Sequence, residues 1–419
     1  MSTCYNRCVS GILLAMLLAL HPVLAGAEQP TPPDLPSTDM AKLAIDQDPT
    51  VIEARRMLDA ASHGANALSA SPHEWTAKVS AQRRSIESGG TSNEWSAALE
   101  RTLRVGGKAE IDRQIGDIEL EIARARIGEA RHEAARALAG LWLDVLAAAQ
   151  QRELWVEQMG FAAASFNAVE KRQRAGDASM LDVNVARADR FEVERQVAAA
   201  TSTESKAKAK LAVRFPTLTQ TLKPLAEPEP LSMTLPQWRA RILDESDVIR
   251  LAVGTLKKAE LVAARARADR VADPTVGIFT ASEAFRRERI VGVSVSIPFS
   301  GTYRTERMQQ ALQDAEATRA RVERQRREQE AEIVEAHAEA VGGLARWRIA
   351  VQGLTTTRDS ARLTQRAYTL GEADLQTLLL ARRQAVDAAA ATAQARGEAL
   401  RWQHRLLIDA HLIWGLADE

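Results

Sequence analysis

Two stretches of this chain follow one plan, and that duplication constrains the fold more than any single motif. Gly106 and Gly176 lie 70 residues apart, as do Gly301 and Gly371. At a constant offset of 195 residues, Gly176 aligns with Gly371, Asp177 with Glu372, Ala178 with Ala373, Val183 with Leu378, Ala186 with Ala381 and Arg187 with Arg382. Upstream, Asp48-Pro49-Thr50-Val51-Ile52 is echoed by Glu245-Ser246-Asp247-Val248-Ile249. Shared alanine content does not produce matching glycine spacings, whereas a repeated supersecondary unit does.

Each unit reads as helix, strand pair, long helix and helix. In the first (38–213), helical periodicity starts near Thr38 and runs to Leu68, with Pro49 as a break or first-turn residue. From His73, Trp75, Ala77 and Val79 alternate with Thr76, Lys78 and Ser80, which is strand spacing. Ser88–Asn93 carries turn chemistry. A second strand then places Trp95, Ala97, Leu99, Arg101, Leu103 and Val105 on one face. After Gly106-Gly107-Lys108 a helix is predicted from Ala109 to Arg174, with Leu138, Leu141, Trp142 and Val145 in register. At about 1.5 Å per residue such a helix is on the order of 100 Å long, far beyond a compact domain. Gly176–Ser179 breaks it, and a second helix runs from Met180 to Val213.

A proline-rich connector (214–236) leads into the second unit (237–414). There Gln237–Arg270 reads as a helix, 274–281 and 289–299 as strands, Thr302–Thr369 as the long helix and Leu375–Trp414 as the last one. A tail, 415–419, follows. Only 4% of residues are aromatic while 46% are hydrophobic. The apolar share is therefore largely Ala, Leu and Val, which suits long helices packed closely.

The amino terminus reads as an export signal. Arg7 precedes the apolar run Val9–Leu20, and Ala25-Gly26-Ala27 fits a small-residue cleavage site, giving a signal peptide over 1–27. A polar leader, 28–37, follows. No cysteine stands at the cleavage point, and Cys4 and Cys8 are the only two in the chain, so disulfide frameworks and cysteine zinc sites are excluded from the body. Lys+Arg and Asp+Glu are equal at 55 each, which argues against nucleic acid as a partner.

Strands of about ten residues, tilted, match the thickness of a bilayer. Open sheet edges cannot lie in hydrocarbon, so a membrane barrel must close, and that takes about eight strands. Four strands per chain thus imply a barrel shared between chains; a soluble four-stranded sheet is the alternative. Trp75 and Trp95, expected near strand ends, fit an interfacial girdle or ordinary apolar cover.

The two interhelix breaks have their own logic. Gly176 and Gly371 suit the left-handed position after a helix, and Ser179 and Asp374 suit N-caps. Asp182 adds a carboxylate to the first turn. With Asp177 and Glu372 these residues cluster acidic groups at the turns. Rings of such groups in an oligomer favour cations; capping and solubility are the plainer reading, and both can hold.

The tip motifs Ala175-Gly176-Asp177-Ala178-Ser179-Met180-Leu181-Asp182-Val183 and Leu370-Gly371-Glu372-Ala373-Asp374-Leu375, within two helix–hairpin–helix repeats behind a signal peptide, resemble the TolC family of outer-membrane efflux proteins. Thr102–Lys108 and Ile297-Pro298-Phe299-Ser300-Gly301 resemble the strand-to-helix joins of its heavy-metal, CzcC-like branch. The resemblance implies a mainly helical fold with membrane β-strands, in which a homotrimer shares one barrel and extends it as a periplasmic helical tunnel. It implies an outer-membrane exit duct touching outer-membrane lipid. An inner-membrane RND-type pump and a periplasmic adaptor would be its partners, meeting the tunnel at the turns of Gly176, Asp177, Ser179, Asp182, Gly371, Glu372 and Asp374. Divalent metal cations are the cargo this branch implies; organic drugs or a secreted protein stay open. The rival reading is a periplasmic adaptor or coiled-coil structural protein.

No catalytic constellation is legible, so no enzyme and no cofactor are expected. His63, His73, His132, His337, His404 and His411 are dispersed, and neither a zinc-protease nor a phosphate-loop motif is present. No metal ligand set is expected. His404 and His411, seven apart, read as helix-surface residues, and Glu110-Ile111-Asp112 and Glu328-Gln329-Glu330 as solvated charge patterning.

Overall fold

A computed structural model of the chain describes residues 30–218, 223–299 and 301–416. The expected signal peptide lies outside the described residues. The first unit comprises α1 (Thr38–Asp46), α2 (Pro49–Ala70), β1 (Thr76–Ile86), β2 (Gly90–Thr102), α3 (Lys108–Arg174) and α4 (Met180–Arg214). The second comprises α5 (Leu235–Asp244), α6 (Asp247–Ala268), β3 (Thr275–Glu283), β4 (Glu288–Ser296), α7 (Thr302–Leu370) and α8 (Leu375–Asp409). The two units match element for element, except that a 3-10 turn, Ala284–Arg286, joins β3 to β4.

Pro49 sits at the start of α2, where its missing N–H costs nothing, and Asp48 caps the helix by accepting from the Thr50 amide at 2.9 Å. The single helix expected over Gln237–Arg270 is two helices. Ser246 caps α6 through the Ile249 amide, repeating the α1–α2 break without a proline to signal it. Pro236 belongs to the first turn of α5, not to the connector. The last helix stops at Asp409 rather than Trp414. His411 and Trp414 take positive φ (52° and 63°), and the Trp414 indole, wholly buried, donates to the Pro36 carbonyl at 3.1 Å.

The leader is anchored from Asp34 onward rather than freely extended. Trp142 Nε1 donates to the Asp34 carbonyl at 2.8 Å, and His404 Nε2 lies 3.2 Å from the Asp34 carboxylate. His404 and His411 are both buried, and His411 lies beyond the end of α8, so the pair does not share a helix face. These segments close the core at mid-height of the bundle, around Leu138, Trp142, Leu143, Phe215 and Trp414, with a second cluster around Trp238, Ile242, Ile333 and Leu406. There α4 ends against the start of α2, with Arg214 Nε 2.9 Å from Asp48 Oδ2.

Above the bundle the strands form one antiparallel sheet in the order β1-β2-β3-β4. Its hairpin turn is tighter than expected: β1 pairs through Ile86 with Gly90, so Thr91–Asn93 are strand. Val79, Ile278, Val291, Val293 and Val295 are all more than 60% exposed, and the register sets them on one face. The opposite face is polar. Ser80 bonds Ser96 at 2.7 Å, Gln82 donates to Glu94 at 2.9 Å, and Thr102 bonds Thr275 at 2.8 Å. Trp95 lies inside β2, opposite Ala81 and Ser282, not at a strand end; Trp75, just before β1, stacks under the Arg101 guanidinium at 5.5 Å. β4 ends before Pro298.

The sheet joins the bundle through ions. Lys108, 1% exposed, donates to Asp273 and to the Val271 carbonyl, both at 2.7 Å. Asp112 accepts from Arg104 at 2.8 Å and from Arg265 at 2.6 Å. Asp112 is therefore buried in an ion network rather than on a solvated face; Glu110, its neighbour in the sequence, is exposed and pairs with Arg113 as expected.

Candidate functional site

The turns that read alike in the sequence lie together at the far end of the bundle from the sheet. α3 and α7 have 67 and 69 residues, so this end is on the order of 100 Å from the strands. Both turns use one device. Gly176 and Gly371 hold φ of 81° and 79°. The Gly176 amide donates to Gln173 at 3.0 Å and the Asp177 amide to Arg172 at 2.8 Å; the Gly371 amide donates to Tyr368 at 3.2 Å and the Glu372 amide to Ala367 at 2.9 Å. This is the Schellman pattern, which satisfies the last helical carbonyls only if the residue after the helix adopts left-handed geometry.

The outgoing helices are capped in two ways. Ser179 Oγ accepts from the Asp182 amide at 3.1 Å while Asp182 Oδ2 accepts from the Ser179 amide at 2.9 Å, a reciprocal capping box. Asp374 Oδ1 accepts from the Thr377 amide at 2.7 Å. These hydrogen bonds, to Ser179 for Asp182 and to Thr377 for Asp374, hold both carboxyls below their ordinary range. Both groups are therefore ionised throughout the neutral range.

Asp177 is exposed and accepts from Arg172 Nε at 2.8 Å. Arg172 also donates to the Tyr368 hydroxyl at 3.1 Å, and its guanidinium lies 5.4 Å from the Tyr368 ring centroid. Its pKa is raised, first by the hydrogen bond to Asp177. Arg172 and Tyr368 thus tie the end of α3 to the end of α7. Beneath them Val169, Val183 and Ala186 of the first unit bury Leu375 of the second. The seven turn residues are legible in the sequence; this link is not. Only the cationic end of α3 is legible: Lys171, Arg172 and Arg174 lie in its last turn, where they complement the negative end of the helix dipole. Glu372 is exposed beside Gly371.

Among the described residues no helix is long and apolar enough to cross a membrane; the sheet carries an exposed apolar face, and single exposed apolar side chains such as Leu181, Phe191 and Ile349 stand on the helices.

No family model matches the chain, and no curated protein matches it by sequence. Solved structures do match. The outer-membrane channel OprN superposes with a TM-score of 0.77 at 19% identity, covering 90% of each chain. The outer membrane protein VceC from Vibrio cholerae superposes at 0.70 and 17% identity, covering 89% of this chain and 95% of its own. CusC, whose structures concern folding and transmembrane channel formation, superposes at 0.67 and 16% identity, with 89% and 92% covered. Such a likeness, over nearly the whole chain, establishes a shared fold.

Proposed function

We propose that the chain is one subunit of a trimeric outer-membrane exit duct in a tripartite efflux system, a TolC-type protein that conducts substrate passively. The observation that carries this reading is the sheet. It has four strands, an exposed apolar face, a polar opposite face, and two edges, β1 and β4, with no neighbour among the described residues. A single such sheet leaves its edges unsatisfied in lipid, whereas three copies make a closed barrel of twelve strands. The polar face then lines the pore and the valine face meets lipid. Trp75 and Trp95 stand about six residues apart along the sheet, roughly 20 Å, close to the height of a barrel's apolar band.

With the sheet in the outer membrane, the glycine turns face the inner membrane. There they would dock a periplasmic adaptor, beyond which an RND-type pump supplies the energy. Three copies of Asp177, Asp182, Glu372 and Asp374 would ring the mouth with carboxylates and favour cations. This supports divalent metal cations as cargo, in keeping with the resemblance to the CzcC-like branch.

The test is single-channel recording of the mature protein in planar bilayers. Cation-selective conductance is expected. Replacing Asp177, Asp182 and Asp374 with Asn and Glu372 with Gln should lower it, most at low salt where screening is weakest. Absence of any conductance from correctly assembled protein would overturn the duct. Equal low-salt conductance of parent and variant would remove the acidic ring and leave these carboxylates as caps.

A further inference from the structure

Two histidines that are dispersed in the sequence meet in space. His132 lies on α3, Asp247 opens α6, and His411 sits in the turn after α8; all three are buried, and one ligand atom from each falls within 4.8 Å of the others. The imidazole rings of His132 and His411 meet edge to face with centroids 5.0 Å apart.

Three independent features mark this cluster. The His411 side chain is 7% exposed as a residue, yet neither ring nitrogen has a hydrogen-bond partner. A buried polar side chain without any partner is rare and calls for an explanation such as an ion. Secondly, Gly128 stands one helical turn before His132, and a Cβ there would collide with the Asp247 carboxylate. The wall of α3 is cut away where that carboxylate enters. Thirdly, His132 Nε2 lies 3.1 Å from the Ile408 carbonyl and 3.5 Å from Asp409 Oδ1. A carbonyl and a carboxylate on one ring nitrogen orient the lone pair of the other, as partners of metal-bound histidines do.

The surrounding charges are balanced. Arg250 Nη1 reaches Asp247 Oδ1 at 3.0 Å, Arg136 reaches Asp409 at 2.8 Å, and Arg241 is occupied by the Ala410 carbonyl at 2.9 Å. Glu129 adds a carboxylate nearby.

We propose that His132, Asp247 and His411 form a structural binding site for a divalent transition metal of the zinc class. Two imidazoles and a carboxylate are a borderline donor set that suits such ions, with a fourth position left for water. Ligand atoms around tetrahedral zinc are roughly 3.4 Å apart, so side-chain rotations of about an ångström complete the sphere. The ion would staple the C-terminal turn and the start of α6, both of the second unit, to α3 of the first, at mid-height of the bundle. Being buried, it would be retained rather than exported, so the site is independent of what the duct carries.

The experiment uses the mature chain purified in detergent with an affinity tag free of histidine. It is stripped with chelator, incubated with zinc sulfate, passed through gel filtration and analysed for metal. About one zinc per chain should be retained by the parent and by the exposed-site control His63→Ala, with a higher melting temperature than the stripped protein. His411→Ala and Asp247→Asn should lose retention by on the order of tenfold or more. Their metal-free melting curves report that they fold; a variant that does not is set aside for the other. Retention equal to the parent in either folded variant, or no retention by the parent, overturns the site.

Discussion

Lys108, the first residue of α3, places its ammonium 2.7 Å from the carboxylate of Asp273, which immediately precedes Pro274 and β3, 165 residues away. The same Asp273 oxygen accepts the Val105 amide at 3.0 Å. One carboxylate thus fixes the exit of the first hairpin to the entry of the second, at the level where sheet becomes bundle. The lysine is 1% exposed, and Asp269 lies 3.4 Å from its ammonium as a second carboxylate partner.

Lys108→Ala therefore leaves Asp273 short of its main cation. Breaking one side of a buried pair costs on the order of 3–5 kcal/mol. The expected result is a lower melting temperature of the detergent-solubilised protein. Lys108→Ala with Asp273→Ala should recover part of the loss, because no orphaned charge remains. A single variant as stable as the parent would show that the junction is held otherwise.

The two faces of β4 should respond differently to one charge. Val293 is 78% exposed opposite Ile278, and Arg there should impair membrane insertion by roughly 2–4 kcal/mol near the bilayer midplane. Ser294 lies on the other face opposite Gly277, which itself pairs with Glu100. Ser294→Arg should insert nearly as well as the parent. Membrane-fraction yield of the two variants is the measurement; equal damage would mean a sheet buried on both sides.

Gly176→Val and Gly371→Val force a β-branched residue into left-handed backbone, at a cost of at least about 1–2 kcal/mol each. The turns lie far from the strands and from the mid-height core, so assembly should persist. Crosslinking to the proposed adaptor should fall, while Gly353→Ala, in a helix with open space around it, should leave it unchanged.

What was legible in the sequence was local or periodic. The glycine turns, the caps at Ser179 and Asp374, the long helices and the alternation in β4 each follow from a few neighbouring residues. The α5–α6 break was not, because Ser246 caps a helix without the proline that marks its counterpart at Pro49. Asp112 looked solvated because helical charge patterning hides which face a neighbour covers; Arg104 and Arg265 reach it from other elements. His132 and His411 come together only through the packing of the C-terminal turn on α3, which no spacing records. The tie between Arg172 and Tyr368 spans 196 residues for the same reason.

Acid should loosen the assembly in a definite sense. At Asp48 burial works against ionisation, but the hydrogen bonds from Thr50 and Arg214 outweigh it; at Asp273 those from Lys108 and the Val105 amide do the same. Both carboxyls titrate below their unfolded value of about 3.9. Their stabilisation is complete above that value and is lost as pH falls through it toward the folded values. The difference in melting temperature between the parent and Asp48→Asn should be constant from pH 7 to 5 and shrink below about pH 4. Asp48→Asn should melt lower at pH 7 and show a shallower fall in acid.

The number of copies in the assembly bears most directly on the account. Four strands with two open edges require partners, and native mass measurement of the mature protein extracted from outer membranes in detergent counts them. Three copies per particle is the expected result. A monodisperse, water-soluble monomer recovered from the periplasmic fraction would contradict a barrel shared between chains.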